Sequence, residues 1–387
     1  MTTPFVPGLT LAAQYYAEVV APLLEAACPG LPHSAALLGA GSEVLGFDSA
    51  RSTDHDWGPR LLIFLADGDT GRPAAALTAA LASRLPPSFR GYPTAFPRSG
   101  EPGRGSRHAV QVTGLGAWLT GQLGFDPRRG VSLLDWLATP AQRLAEVTAG
   151  QVFHDGLGEL EQARGTLAWY PPGVWRYLLA CQWHRIAQEE AFPGRCAEAG
   201  DDLGSAVVTA RLARELMRLC LLIARRYPPY SKWLGTAFAQ LHGASQPRVN
   251  QPRARPVAAA LGAAVTSDRW PGRERHLGEA CTAAAAWHNE LGLTPPVDAS
   301  LRPYFDRPYR VLGADRFTHA LLAEVTDPAL RGLPLTGACD QYIDSTDALG
   351  DLTRLRDTAA LSLGLGLGQA RRPRPDGDPR PTGAAHG

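Results

Sequence analysis

The sequence predicts an α+β chain: an α/β region over residues 1–120, followed by a chain that is almost wholly helical. Three observations predict it. Short apolar runs at 35–38 and 61–65 and an alternating run at 108–113 have strand character. After Gly124 the apolar residues recur at helical spacing, and the composition, 45% hydrophobic and 19% charged over 387 residues, is that of an ordinary globular protein with room for two or three domains.

Leu11, Tyr15, Val19, Leu23 and Ala26 share one helical face, so residues 9–27 read as an amphipathic helix that bends at Pro22. Ala35–Leu38 reads as a strand ending in the tight turn Gly39-Ala40-Gly41-Ser42. Asp54-His55-Asp56 and Leu61–Leu65 read as strand again, 73–85 as an alanine-rich helix, and His108–Thr113 as a strand. Pro172 opens a helix running to the Glu189-Glu190 pair. Further helices are expected at 203–226, from Ser231, and at 256–265, 273–291, 315–325 and 337–363. Residues 243–256, with three prolines, read as a linker or long loop, and the Gly/Pro/Arg-rich stretch 364–387 as a disordered tail. The expected units are therefore 1–120, 121–242, 243–363 and the tail 364–387.

Composition excludes several functions. A formal net charge of +1 provides no general attraction to nucleic acid or to an anionic membrane. No apolar run is long enough to span a bilayer, and the first residues lack the order of a signal peptide, so a cytoplasmic protein is expected. The six cysteines are scattered without C-x-x-C or metal-ligand spacing and read as reduced, structural thiols. Of the 38 Lys and Arg residues only Lys232 is a lysine. It follows Tyr230-Ser231, and a compact ammonium there suits a triphosphate.

The stretch GSEVLGFDSARSTDHDWG, residues 41–58, holds four carboxylates and a histidine in a chain otherwise sparing of charge. On a strand Asp54 and Asp56 would project from the same face, their Cα atoms about 6.5–7 Å apart. Such paired hard-oxygen donors suit Mg²⁺, with His55 directed away and Trp57 packing at the strand end. Upstream, the backbone N–H groups of a Gly-rich turn and the Ser42 hydroxyl suit a phosphate. Glu43 and Asp48 read as cleft-side acids or as structural charges. Phosphate donors followed by metal carboxylates are the two requirements of phosphoryl or nucleotidyl transfer.

Gly41-Ser42 with Asp54-His55-Asp56, eleven residues lying between Ser42 and Asp54, resembles the Gly-Ser…Asp-x-Asp signature of the DNA-polymerase-β-like nucleotidyltransferase superfamily, which includes kanamycin nucleotidyltransferase. STDHDWGPR, GFDPRRGVSLLDWLATPAQRL, YLLACQW and YSKWLGTAF are similar to a bacterial family of that fold labelled as a domain of unknown function, over roughly residues 10–240. The resemblance implies a small mixed sheet, a helical domain closing a cleft, Gly41 and Ser42 on the triphosphate, and Asp54 and Asp56 on one or two Mg²⁺ ions. It also implies a third carboxylate on a later strand, where this chain has Gln111, which cannot act as a base. Kanamycin-type enzymes take the base from the helical domain, where Glu189 and Glu190 are the candidates. Arg211, Arg214, Arg218 and Arg225 fall along one helical face and are further phosphate candidates, or a solvated row paired with Glu215.

The expected activity is Mg²⁺-dependent transfer of a nucleoside monophosphate from a nucleoside triphosphate, ATP favoured, to an unidentified acceptor, with a small molecule favoured over nucleic acid. The alternative is a catalytically weak or inactive nucleotide-binding protein of a regulatory or antitoxin-like kind. The aromatic residues of the helical half, Trp169, Tyr170, Trp175, Tyr177 and Trp183, are expected in core packing or along a cleft.

Overall fold

A four-stranded mixed sheet organises the N-terminal part of the chain. The computed structural model describes residues 5–54, 57–97, 106–243 and 251–365, with the backbone alone at 54, 97, 106 and 107. Strands β1 (His33–Leu37), β2 (Leu61–Leu65), β3 (Val110–Gly114) and β4 (Gln151–Asp155) lie in the order β3-β2-β1-β4. β1 is antiparallel to both its neighbours, and β2 is parallel to β3, with Leu62 opposite Gln111.

Strand alternation divides the core in two. Ala36, Leu38, Leu62 and Phe64 pack against the helices that follow β3, whereas Ala35, Leu37, Leu61, Ile63 and Leu65 pack against the N-terminal helices and Leu77 and Leu81. β2 is buried along its whole length, which is why it reads as an unbroken apolar run. Sequence patterning missed β4, because this edge strand carries only two apolar residues, Val152 and Phe153, and neither is fully buried.

Several expected elements are corrected. The helix expected at 9–27 is Gly8–Tyr15 and Ala21–Ala27 joined by a π-helical turn, Tyr16–Val20. Pro22 has no N–H for the helical ladder and its ring crowds the preceding turn, so the ladder widens just before it. The strand expected at 54–56 begins otherwise: Ala50–Asp54 is a 3₁₀ turn. Short hydroxyl side chains favour that turn, since the Ser49 N–H donates to Ser52 Oγ and the Thr53 hydroxyl to the Ala50 carbonyl. The side chain of Asp54, and His55 and Asp56 entirely, lie outside the described residues. His108 belongs to a separate hairpin, 95–97 with 106–108, so the third sheet strand begins only at Val110.

Beyond the sheet the chain is helical at Arg72–Arg84, Leu115–Leu123, Leu133–Ala138, Ala141–Thr148, Pro172–Glu189, Asp202–Ile223, Ser231–His242, Ala254–Thr266, Trp270–Glu290 and Asp315–Ala323. The single helix expected at 337–363 is three pieces, Cys339–Tyr342, Thr346–Gly350 and Leu352–Ser362. Ser345 and Asp351 each accept an N–H of the piece that follows, so each starts a new helix where periodicity predicts continuation. The linker expected at 243–256 lies partly outside the described residues, and Ala254 already opens a helix. The tail from 366 lies outside them too.

Candidate functional site

A cleft of about 670 Å³ opens where the turn after β1 meets the helices. Its floor is the Gly39–Ser42 turn. The Gly39 N–H donates to the Glu146 carbonyl at 2.8 Å, tying the turn to the Ala141–Thr148 helix, and Gly39 holds φ +89 and Gly41 φ +152. Arg60 lies beneath the turn, its guanidinium donating to the Ala40 carbonyl at 2.8 Å and to the buried Glu43 carboxylate. Asp48 accepts from the Gly8 N–H at 2.7 Å and from the Trp57 indole at 3.2 Å. Glu43 therefore holds the turn in shape through Arg60, and Asp48 ties Trp57 to the start of the first helix. Ser42 lines the cleft, and its hydroxyl donates to no described residue.

The helical half supplies the other walls. Gln142 links two of them, its amide donating to Glu146 at 2.9 Å while its carbonyl accepts the Tyr230 N–H at 3.2 Å. Tyr230 precedes the Ser231–His242 helix, which brings Lys232 and Trp233 into the cleft. Lys232 lies 5.0 Å above the Trp233 ring and pairs with no carboxylate among the described residues. Phe47 packs on Trp233 with ring centroids 5.3 Å apart. From the C-terminal segment, Asp340 accepts from Arg218 at 2.9 Å, and Asp344 stands exposed on the rim.

The structure thus brings Gly41, Ser42 and Lys232 together in one cleft. Glu189 and Glu190 lie elsewhere. Glu189 pairs with Arg211 at 2.7 Å, and Glu190 accepts the N–H groups of Leu312, Gly313 and Ala314, capping the start of the Asp315–Ala323 helix. Burial raises the Glu190 carboxyl above its ordinary range against those three hydrogen bonds. Gln111 is exposed on the edge strand and does not line the cleft. The arginine row divides: Arg214 and Arg218 line the cleft, Arg211 faces Glu189, and Arg225 stacks 4.4 Å above the Trp175 ring. Of the five aromatic residues expected in core packing or along a cleft, Tyr170, Trp175, Tyr177 and Trp183 are buried and Trp169 packs on Tyr170, while Phe47, Trp57, Tyr230 and Trp233 line the cleft.

Sequence reasoning missed Gln142, Arg143, Glu146, Asp340 and Asp344. Proline before Ala141 was a signal for a helix start, but no sequence pattern showed that this start faces the Gly-Ser turn. Among the described residues no group of three or more His, Cys, Asp and Glu side chains is placed to hold a metal ion. All six cysteines are free thiols, four of them buried, and no helix among those described is long and apolar enough to cross a membrane.

Chemically, the cleft combines a hydroxyl on a glycine turn and an ammonium, neither hydrogen-bonded to a described side chain, with aromatic faces and guanidinium groups. That set suits an anionic ligand with a planar apolar part. Comparison with known proteins adds one match: residues 136–234 match a family described as a domain of unknown function (DUF4037). The matched segment runs through the Ala141–Thr148 helix, β4 and both long helices to the start of the helix that carries Lys232. No curated protein and no solved structure matches the chain.

Proposed function

We propose that the cleft binds a nucleoside triphosphate, ATP favoured, and that the chain transfers its nucleoside monophosphate to a small-molecule acceptor. The observation that carries this reading is the meeting of Gly41 and Ser42 with Lys232, far apart in sequence, on one cleft. Turn amides and the Ser42 hydroxyl would hold phosphate oxygens, and Lys232 would balance their charge. The Phe47–Trp233 pair offers a face for the base. Asp54 and Asp56 are the residues that would hold Mg²⁺, and a bound ion would supply charge neutralisation for the leaving pyrophosphate. Asp344, without an ion-pair partner among the described residues, takes the place of Glu189 and Glu190 as the base for the acceptor's proton.

A second reading is nucleotide binding without turnover, in a regulatory or antitoxin-like protein. It is favoured by the engagement of the other cleft carboxylates: Glu43 is held by Arg60, Glu146 by Gln142 and Arg143, and Asp340 by Arg218. Calorimetric titration with the four ribonucleoside triphosphates and Mg²⁺ tests the shared premise. Wild type should bind ATP, Ser42→Ala and Lys232→Ala should each weaken it about tenfold, and Asp54→Ala/Asp56→Ala should abolish the metal-dependent part. Absence of triphosphate binding by wild type would sink both readings. Pyrophosphate release with candidate acceptors then separates them.

A further inference from the structure

We infer that Arg143, Arg214 and Arg218 form a second anion site in the cleft, distinct from the Gly39–Ser42 turn, which holds a phosphate group carried by the acceptor. In naming an acceptor class, the inference rests on the nucleotidyl-transfer reading. Arg214 and Arg218 are one turn apart on the Asp202–Ile223 helix and so share a face. Asp340 ties Arg218 to the first turn of the Ala141–Thr148 helix by accepting from the Arg218 guanidinium at 2.9 Å and, more weakly, from the Ala141 N–H at 3.4 Å. Arg143 belongs to that same first turn, and all three arginines line the cleft.

Each guanidinium has a carboxylate neighbour: Glu146 for Arg143, Glu215 for Arg214, Asp340 for Arg218. None is saturated by it, because a guanidinium carries five N–H donors. Arg218 makes the point most sharply. Its side chain is only 4% exposed, it lines the cleft, and its Nε has no hydrogen-bond partner among the described residues. Buried donors are rarely left so, because the desolvation cost is not recovered. A phosphate oxygen is the acceptor that would satisfy it, and planar guanidinium forks suit the paired oxygens of a phosphate.

The turn and the arginines differ in kind. The turn offers amides and a hydroxyl, and the Glu43 carboxylate behind it is paired with Arg60. The arginine wall offers guanidinium N–H donors beyond those that its paired carboxylates occupy. A transfer enzyme must hold two substrates at once, and in this arrangement the acceptor's phosphate sits on the wall while its hydroxyl reaches the triphosphate. The hydroxyl oxygen bonds to the α-phosphorus, the bond from that phosphorus to the pyrophosphate oxygen breaks, and the hydroxyl proton passes to Asp344. The acceptor's own phosphate is unchanged.

The test is calorimetric titration of the full chain with inorganic phosphate, alone and with saturating ATP and Mg²⁺. Phosphate should bind with about the same affinity in both cases. Arg143→Gln/Arg214→Gln should weaken phosphate at least tenfold while leaving the ATP affinity within about twofold. Displacement of phosphate by ATP on wild type, which requires no variant, would assign the arginines to the triphosphate and overturn the proposal. So would unchanged phosphate affinity in a double variant whose thermal midpoint matches wild type, with Arg143→Gln alone as the milder check. Phosphate binding through the arginines without any ATP binding would uphold the anion site and remove the nucleotide reading instead.

Discussion

Gly41 shows how much a single position can decide. A Cβ built there would lie 2.4 Å from the Arg60 guanidinium and 2.7 Å from a Glu43 carboxylate oxygen, and the backbone is at φ +152. Any side chain would have to displace the Arg60–Glu43 ion pair that supports the turn. Gly41→Ala is expected to lower unfolding stability by roughly 2 kcal/mol and to abolish triphosphate binding. Gly68→Ala, at an open position, should leave both unchanged, with chemical denaturation and calorimetry as the measurements. Gly-Ser is therefore legible as a special turn from sequence, whereas its support by Arg60 is not. Glu189 and Glu190 show the converse. Adjacent in sequence, they serve unrelated partners, Arg211 and the amides of 312–314, and neither partner is visible from local pattern.

At the scale of elements, long periodic helices were legible because each buries one continuous face, as on the Asp202–Ile223 helix with Leu212, Leu216, Leu219 and Ile223. Breaks at the caps were not, since Ser345 and Asp351 change hydrogen bonding without changing periodicity. The irregularity read at Pro22 is the widened turn just before it, which shifts the buried positions from Leu11 and Tyr15 to Val20 and Leu24. Helix packing also buries His288, which is 1% exposed and accepts the Trp183 indole N–H at 3.2 Å beside Phe317. Burial pushes its pKa from 6.5 down to about 4. The unfolded chain then takes up the proton at higher pH than the folded one, so this contribution is fully present above pH 6.5 and is lost as pH falls toward 4. Unfolding free energy should drop by about 3 kcal/mol over that window from this residue. His288→Asn, which keeps an acceptor for Trp183, should flatten the decline in pH-dependent denaturation. His33, also lowered by burial, would supply a residual slope of the same sign.

Over the whole molecule, the cleft is a product of assembly: the turn after β1, the start of the Ala141–Thr148 helix, the Lys232 segment and residues 340–350 meet only when the sheet and helices pack. A ligand seated there contacts parts of the chain that separate on unfolding. On the proposed function, ATP with Mg²⁺ at a hundred times its Kd should raise unfolding free energy by about 2.7 kcal/mol. A thermal shift series should show a rise in midpoint that grows with ATP concentration, and the response should shift to higher ATP in Lys232→Ala. A midpoint indifferent to ATP at every concentration would contradict nucleotide binding to the folded chain.

By itself the sequence determined the α+β class, the apolar strands β1 and β2, the principal helices and the special character of Gly41-Ser42, because periodicity, glycine and proline act locally. Only the tertiary structure decided that Lys232, Arg143, Arg214 and Arg218 line the cleft with Ser42, that Glu189 and Glu190 do not, and that β4 completes the sheet. Those outcomes depend on which faces meet across long stretches of chain. Burial and charge pairing select such meetings, and neither is written in the spacing of neighbouring residues.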